Sequence, residues 1–181
     1  MEVVKTNLEG LLLIKPKTFG DSRGYFFESY QEARYREAGI HCTFVQDNLS
    51  RSEQAVLRGL HFQNPHTQKK LVTVSRGEIF DVAVDVRKNS PTFGQSYAVV
   101  LNDTNHWQLF IPEGFAHGFY VLSDIADFHY KCSDYYYPEF EHGIIWNDPA
   151  LKIDWPILKG TQPTLSAKDQ KFSPLAEIEA L

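Results

Sequence analysis

Ten short runs of alternating apolar and polar residues fit between Leu11 and Trp146, with turn signals between them. They fall near Leu11–Phe19, Gly24–Tyr30, Ala55–Gln63, Lys70–Ser75, Glu78–Arg87, Ser96–Leu101, Gln108–Ile111, Gly118–Leu122, Ala126–Cys132 and Gly143–Trp146. Period-two patterning of this length is a strand signal, and "SRGE", "KNSPTFG" and "NDTN" are the breaks. Strands packed so densely leave little chain for helices, so the expectation is an all-β sandwich or closed barrel. Two short peripheral helices are expected. "SYQEARYREAG" sets Ser29 and Glu32 at capping-box spacing and stops at Gly39, and "SAKDQKF" repeats the spacing with Ser166 and Asp169.

At 181 residues the chain suits one domain, 1–181, with a sizeable core and no linker or repeat. Eighteen basic against 23 acidic side chains give a net charge of −5 without a basic tract, which disfavours nucleic acid as a partner. The run "LLLI" is too short for a membrane span or signal segment. Two cysteines, Cys42 and Cys132, make neither a disulfide framework nor a thiolate zinc site, and a reducing cytoplasm is the expected location.

Polar residues inside the apolar runs bear on function. In "IFDVAVDVR", Phe80, Val82, Val84 and Val86 share one face, and Asp81, Ala83, Asp85 and Arg87 the other. The second face suits a solvated surface or the lumen of a barrel that holds a ligand. In "LRGLHFQ", strict alternation separates Arg58 from His61; they share a site only if the strand bulges, and Gly59 is where a bulge is tolerated.

"IPEGFAHGF" carries Pro112, Gly114 and His117 at the P-x-G-x-x-H spacing that resembles the second motif of cupin barrels. Metal-binding cupins also need an H-x-H pair, and here the matching place reads His61-Phe62-Gln63. Two histidines alone are a poor metal site, so no metal is expected. The remaining inventory suits chemistry beside a carbonyl. Imidazole, with an ordinary pKa near ~6.5, can take a proton at neutral pH. A cation such as Lys70 can stabilise the resulting enolate, and a phenol such as Tyr130 can return a proton. Each residue also has a plain structural reading: Lys70 as a solvated strand end, Tyr130 as a barrel aromatic, Asp169 as a capping residue.

The segments "FGDSRGYFFESY", "FVQDN", "VLRGLHFQ", "GEIFDVAVDVRKNSPTFG", "IPEGFAHGF", "YYYP", "WNDPALKIDWP" and "LSAKD" occur in order from residue 19 to 169. Together they resemble the dTDP-4-dehydrorhamnose 3,5-epimerase family. The resemblance implies a cupin-type jelly-roll barrel, a homodimer, and action on a dTDP-linked 4-keto-6-deoxyhexose without metal or organic cofactor. It implies His61 as general base oriented by Asp169, Lys70 at the C4 oxygen and Tyr130 as proton donor. Arg23, Glu28, Gln46, Asn48, Arg58, His117, Glu141 and Lys168 would bind substrate, Tyr136 would stack on thymine, and Asp81 would be a supporting acid. Some of these contacts are expected to cross a dimer interface. Phe115, Phe119 and Phe128 would wall the site.

Lys70 rather than Lys69 is the matching lysine, because it directly precedes the strand "LVTV". His129 stands where the family more typically has an apolar residue, and it should point outward if Tyr130 points in. The competing readings are a C3-only epimerase, a keto-isomerase of a related pathway, and a non-catalytic sugar-nucleotide-binding barrel.

Overall fold

The computed structural model describes residues 1–181. Thirteen strands form two facing antiparallel sheets and one hairpin. One sheet has the order β1 (Glu2–Lys5), β2 (Leu12–Lys15), β10 (Gln108–Ile111), β7 (Lys70–Arg76), β12 (Ile125–Cys132), β5 (Gln46–Glu53). The other runs β13 (Glu141–Gly143), β6 (Leu57–Gln63), β11 (Phe115–Val121), β8 (Glu78–Asp85), β9 (Ser96–Asn102). The hairpin pairs β3 (Thr18–Asp21) with β4 (Gly24–Phe27). This is the expected jelly-roll barrel.

Apolar side chains from both sheets fill one end of the space between them, among them Leu13, Val72, Val74 and Leu109 against Ile79, Ala83, Phe119 and Val121. Part of the outer face of each sheet is also covered. Val82, Val84 and Val86 pack with Leu60 and Phe62 beneath Trp155, Leu175 and Ile178 of the C-terminal segment. Helix α1 (Glu32–Glu37) lays Tyr35 over Ile14, Leu71 and Phe110. Both faces of β8 are therefore buried, and Asp81 and Ala83 point between the sheets.

Several local expectations need correction. The chain between Leu11 and Phe19 is two strands rather than one, broken at Pro16, whose missing N–H cannot serve a ladder. Helix α1 is capped by Gln31, which accepts from the Arg34 amide at 2.8 Å; the Ser29 carbonyl instead accepts from Tyr35 and Gln108. The Ser166 device does form, since the Asp169 amide donates to Ser166 Oγ at 3.1 Å, but only a 3₁₀ turn follows, over Asp169–Lys171. Strands β1 and β5 were not anticipated. β5 is polar on both faces, with Gln46, Asn48, Ser50 and Ser52 turned inward.

Asp85 ends β8 fully buried. It accepts from Arg87 Nη2 at 2.7 Å, Ser90 Oγ at 2.5 Å and Thr92 Oγ1 at 2.6 Å. Burial alone would raise its pKa, but these donors outweigh burial and hold it at about 2. A carboxyl depressed in the folded state stabilises above its unfolded pKa, and that stability is lost as pH falls through the native value. The advantage of wild type over Asp85→Asn in urea unfolding should accordingly shrink by about 1 kcal/mol between pH 6 and pH 3. A constant difference would mean that the ion contributes no pH-dependent stability.

Candidate active site

The open end of the barrel is a cleft of about 320 Å³ with a mixed polar and apolar lining. Its centre depends on one irregularity. On β11, His117 pairs with His61 and Phe119 pairs with Arg58, so two residues of β6, Gly59 and Leu60, oppose the single Gly118. This is a β-bulge, and it turns Arg58 and His61 into the same cleft. Gly59 has φ +119°, and a Cβ there would lie 2.5 Å from Gly118 Cα and 2.7 Å from the His117 carbonyl. Only glycine fits that approach.

His61 Nε2 lies 2.5 Å from Asp169 Oδ1, while Nδ1 is 3.7 Å from Glu141 Oε1. The Asp169 carboxyl is nearly inaccessible. Burial would raise its pKa, but the His61 hydrogen bond and charge, with Ser166, hold it below the usual carboxylate value. An ionised Asp169 accepts a hydrogen bond from Nε2–H, so the Nδ1 lone pair is the free one. Asp169 reaches the barrel because the C-terminal segment docks beside β13 through the Ile144–Ser173 bridge. There the Phe172 ring packs edge-on to His61 at 5.5 Å, in space that a Cβ on Gly143 would fill.

On the opposite sheet, Lys70 of β7 pairs with Cys132 of β12, and Tyr130 follows two residues along β12, on the same face. Lys70 lines the open cleft, yet enough protein surrounds it that desolvation lowers its pKa, opposed by the fields of Cys132, Glu141 and Asp81. Burial pushes the Tyr130 phenol up, which keeps it protonated. Glu141 accepts from Tyr136 Oη at 2.8 Å and from Lys168 Nζ. Burial would raise the Glu141 carboxyl, but Lys168, His61 and Tyr136 together hold it below its ordinary range.

Of the residues singled out from sequence, Gln46, Asn48, Arg58, His61, Lys70, His117, Tyr130, Tyr136, Glu141 and Lys168 line this one cleft, with Asp169 behind His61 and Asp81 behind His117. Phe119 and Phe128 form its apolar wall, whereas Phe115 lies in the core under Arg87 and does not reach it. Lys69 turns away toward Glu113, and His129 turns outward to Ser75 Oγ at 2.7 Å. Arg23 and Glu28 are not brought in. Arg23 is paired with Asp21 on the tip of the β3–β4 hairpin, and Glu28 with Arg34 of α1.

Sequence reasoning missed Gln63 and Gln68. Their amides hold the loop that carries Tyr136, donating to the Tyr135 carbonyl at 3.1 and 3.0 Å. A glutamine in or before a strand carries no signal for such a role.

Residues 5–177 match the family model described as dTDP-4-dehydrorhamnose 3,5-epimerase. The chain belongs to this family. A dTDP-4-dehydrorhamnose 3,5-epimerase of Methanothermobacter thermautotrophicus is 52% identical over 174 residues, 96% of this chain and 94% of the relative. A crystal structure of dTDP-6-deoxy-D-glucose-3,5-epimerase from Legionella pneumophila, in complex with dTDP-4-keto-L-rhamnose, superposes with a TM-score of 0.95 at 54% identity, covering 98% of this chain and 94% of that one. A 3'-monoepimerase from Streptomyces bikiniensis in complex with dTDP-quinovose is also similar, with a TM-score of 0.88 at 33% identity over 94% of this chain and 86% of that one. The epimerase fold is thus shared with enzymes whose names specify inversion at two carbons or at one. No helix is long and apolar enough to cross a membrane.

Proposed function

We propose that this chain inverts C3 and C5 of dTDP-4-dehydro-6-deoxy-D-glucose to give dTDP-4-dehydro-L-rhamnose, as one domain working without a cofactor. The observation that supports the reading is the placement of His61 and Tyr130 on opposite sheets of one cleft, with Lys70 on the Tyr130 side, one strand away. A sugar ring held between two walls presents one face to a base and the other to an acid. That is the arrangement an inversion needs.

The C4 ketone acidifies the hydrogens on C3 and C5, so one base serves both centres. His61 Nδ1 takes the proton, and the electrons move onto the C4 oxygen as an enolate. The Lys70 ammonium stabilises that oxygen by about 3 kcal/mol. Tyr130 then delivers a proton to the other face of the carbon. Asp169 holds the imidazolium formed at His61, and Phe119 and Phe128 shield the enolate from water. Arg58, with its planar guanidinium, suits the diphosphate. Gln46, Asn48, His117, Glu141 and Lys168 complete the substrate contacts, and Tyr136 offers its ring to thymine.

The same reading makes the protein a homodimer. The β3–β4 hairpin exposes Phe19, Tyr25 and Phe26 together with Arg23, an arrangement suited to burial against a second copy. Arg23 and Glu28 would then serve the nucleotide end of the partner's cleft. A cytoplasmic location suits the free Cys42 and Cys132.

Conversion of the 4-keto substrate, followed by proton NMR of the sugar ring, tests the reaction. The L-rhamno configuration at both carbons is the expected result. Inversion at C3 alone would assign the chain to monoepimerases, and an unchanged substrate would leave it a binding protein. In Tyr130→Phe, completed inversion should fall at least tenfold more than the first proton loss, because the base is intact and the donor is gone. Equal losses would make Tyr130 a positioning group only.

A further inference from the structure

Tyr136 lines the cleft yet is 47% exposed, and it sits on a stretch, residues 135–137, without helix or strand. An exposed ring on irregular backbone is ordinarily mobile. Here every amide of the stretch is held. The N–H groups of Tyr135, Tyr136 and Tyr137 donate to Asp134 Oδ1 at 2.8 Å, Gln46 Oε1 at 3.0 Å and Gln63 Oε1 at 2.8 Å. The Asp134 carbonyl accepts from Gln68 Nε2 at 2.9 Å, and the Tyr135 carbonyl accepts from both Gln63 and Gln68. None of the three amides has a backbone partner, so side chains do what a strand ladder does elsewhere.

Gln63 is the centre of this clasp. It is buried on β6, and its carboxamide bonds both peptide units that flank Tyr136, the Tyr135 carbonyl and the Tyr137 amide. Its second donor goes to the His66 carbonyl at 2.8 Å. Both amide hydrogens are thus spent on backbone, which leaves Gln63 no free donor for a ligand. Its register partner on β13 is Glu141, and Glu141 accepts from Tyr136 Oη at 2.8 Å. One cross-strand pair therefore grips Tyr136 at its backbone and at its hydroxyl.

We propose that Gln63 and Gln68 are positioning residues for nucleotide recognition: before any ligand arrives they hold the Tyr136 ring in the pose that receives a flat nucleobase. The clasp then sets affinity for the base end of the substrate, not for its diphosphate and not for the chemistry at its sugar. Neither glutamine needs to touch the substrate. The proposal rests on the epimerase reading for the identity of the base, thymine, but the fixed loop it assigns is a property of the protein alone.

A preorganised ring spares the ligand the entropy of ordering it, and a released loop would have to be ordered on binding. Gln63→Met keeps the length of the side chain and removes its hydrogen bonds. In that variant Kd for dTDP and KM for the nucleotide sugar should rise roughly tenfold. By contrast, kcat should stay within about threefold, because His61, Lys70 and Tyr130 are untouched. Kd for inorganic pyrophosphate, which has no base, should stay within the same limit. The tenfold loss should vanish in a Tyr136→Ala background, where no ring is left to hold.

An equal loss for dTDP and pyrophosphate, an unchanged dTDP affinity, or a loss that persists without the Tyr136 ring overturns the proposal and leaves the glutamines as packing residues. Gln68→Met, at a half-buried position, is read identically if Gln63→Met does not fold. Unliganded wild-type protein gives an independent readout. Hydrogen exchange at the Tyr136 and Tyr137 amides must be slow and must quicken in the variant; rapid exchange in wild type overturns the fixed loop whatever the affinities do. Wild type that binds dTDP no more tightly than pyrophosphate would refute the thymine reading, and exchange at these two amides then decides the clasp by itself.

Discussion

His61→Asn is expected to slow entry of solvent deuterium into the sugar by roughly 10²–10⁴-fold, the contribution of one positioned base. Affinity for dTDP should stay within about threefold, because Arg58, Gln46 and Asn48 are untouched and the 2.5 Å contact with Asp169 lies behind the cleft. Asparagine cannot take a proton from carbon, yet its amide is polar and fills part of the imidazole's space. A parallel loss of dTDP affinity would mean that the ring shapes the binding site and is not the base. Exchange retained at the wild-type rate would remove His61 from the chemistry, and would leave the Asp169–His61 pair without a role.

Gly59→Ala should have the largest effect on stability, about 3–5 kcal/mol. Two costs combine there. The backbone sits at φ +119°, which side-chain-bearing residues rarely adopt, and the added methyl meets backbone atoms of β11 rather than a yielding side chain. β6 can relieve the contact only by abandoning the bulge, which would turn Arg58 away from the cleft that His61 occupies. Urea unfolding should show the loss, and the surviving folded fraction should bind dTDP more weakly. An unchanged midpoint with normal affinity would show that the bulge tolerates a Cβ and does not set the Arg58 side-chain direction.

The need for that bulge is legible in the sequence. Strict alternation forbids Arg58 and His61 a common site, and Gly59 between them is the residue that allows an exception. Other features were legible only as alternatives. The Asp81 face of β8 read as solvated surface or as lumen, since periodicity reports that two faces differ but not which is inside. What decides it is the covering of the valine face by Trp155, Leu175 and Ile178, from a C-terminal segment with no strand pattern of its own.

β5 escaped because "QDNLSRSE" lacks the apolar alternation of a core strand. Its inward residues line a ligand cleft rather than a core, so function removed the usual signal. Gln63 and Gln68 escaped for a related reason: their amides serve a loop backbone far along the chain. The pairing of His61 with Asp169 spans 108 residues, and it was anticipated through family likeness rather than spacing.

The central claim is that His61 removes the hydrogens flanking the C4 ketone and that the opposite wall returns them. Incubation of wild-type protein with dTDP-4-dehydro-6-deoxy-D-glucose in deuterium oxide, with the sugar ring read by NMR, tests it most directly. Deuterium at both C3 and C5, dependent on the residue 61 imidazole, is the predicted result; no label at either carbon while the nucleotide sugar is bound would contradict the account.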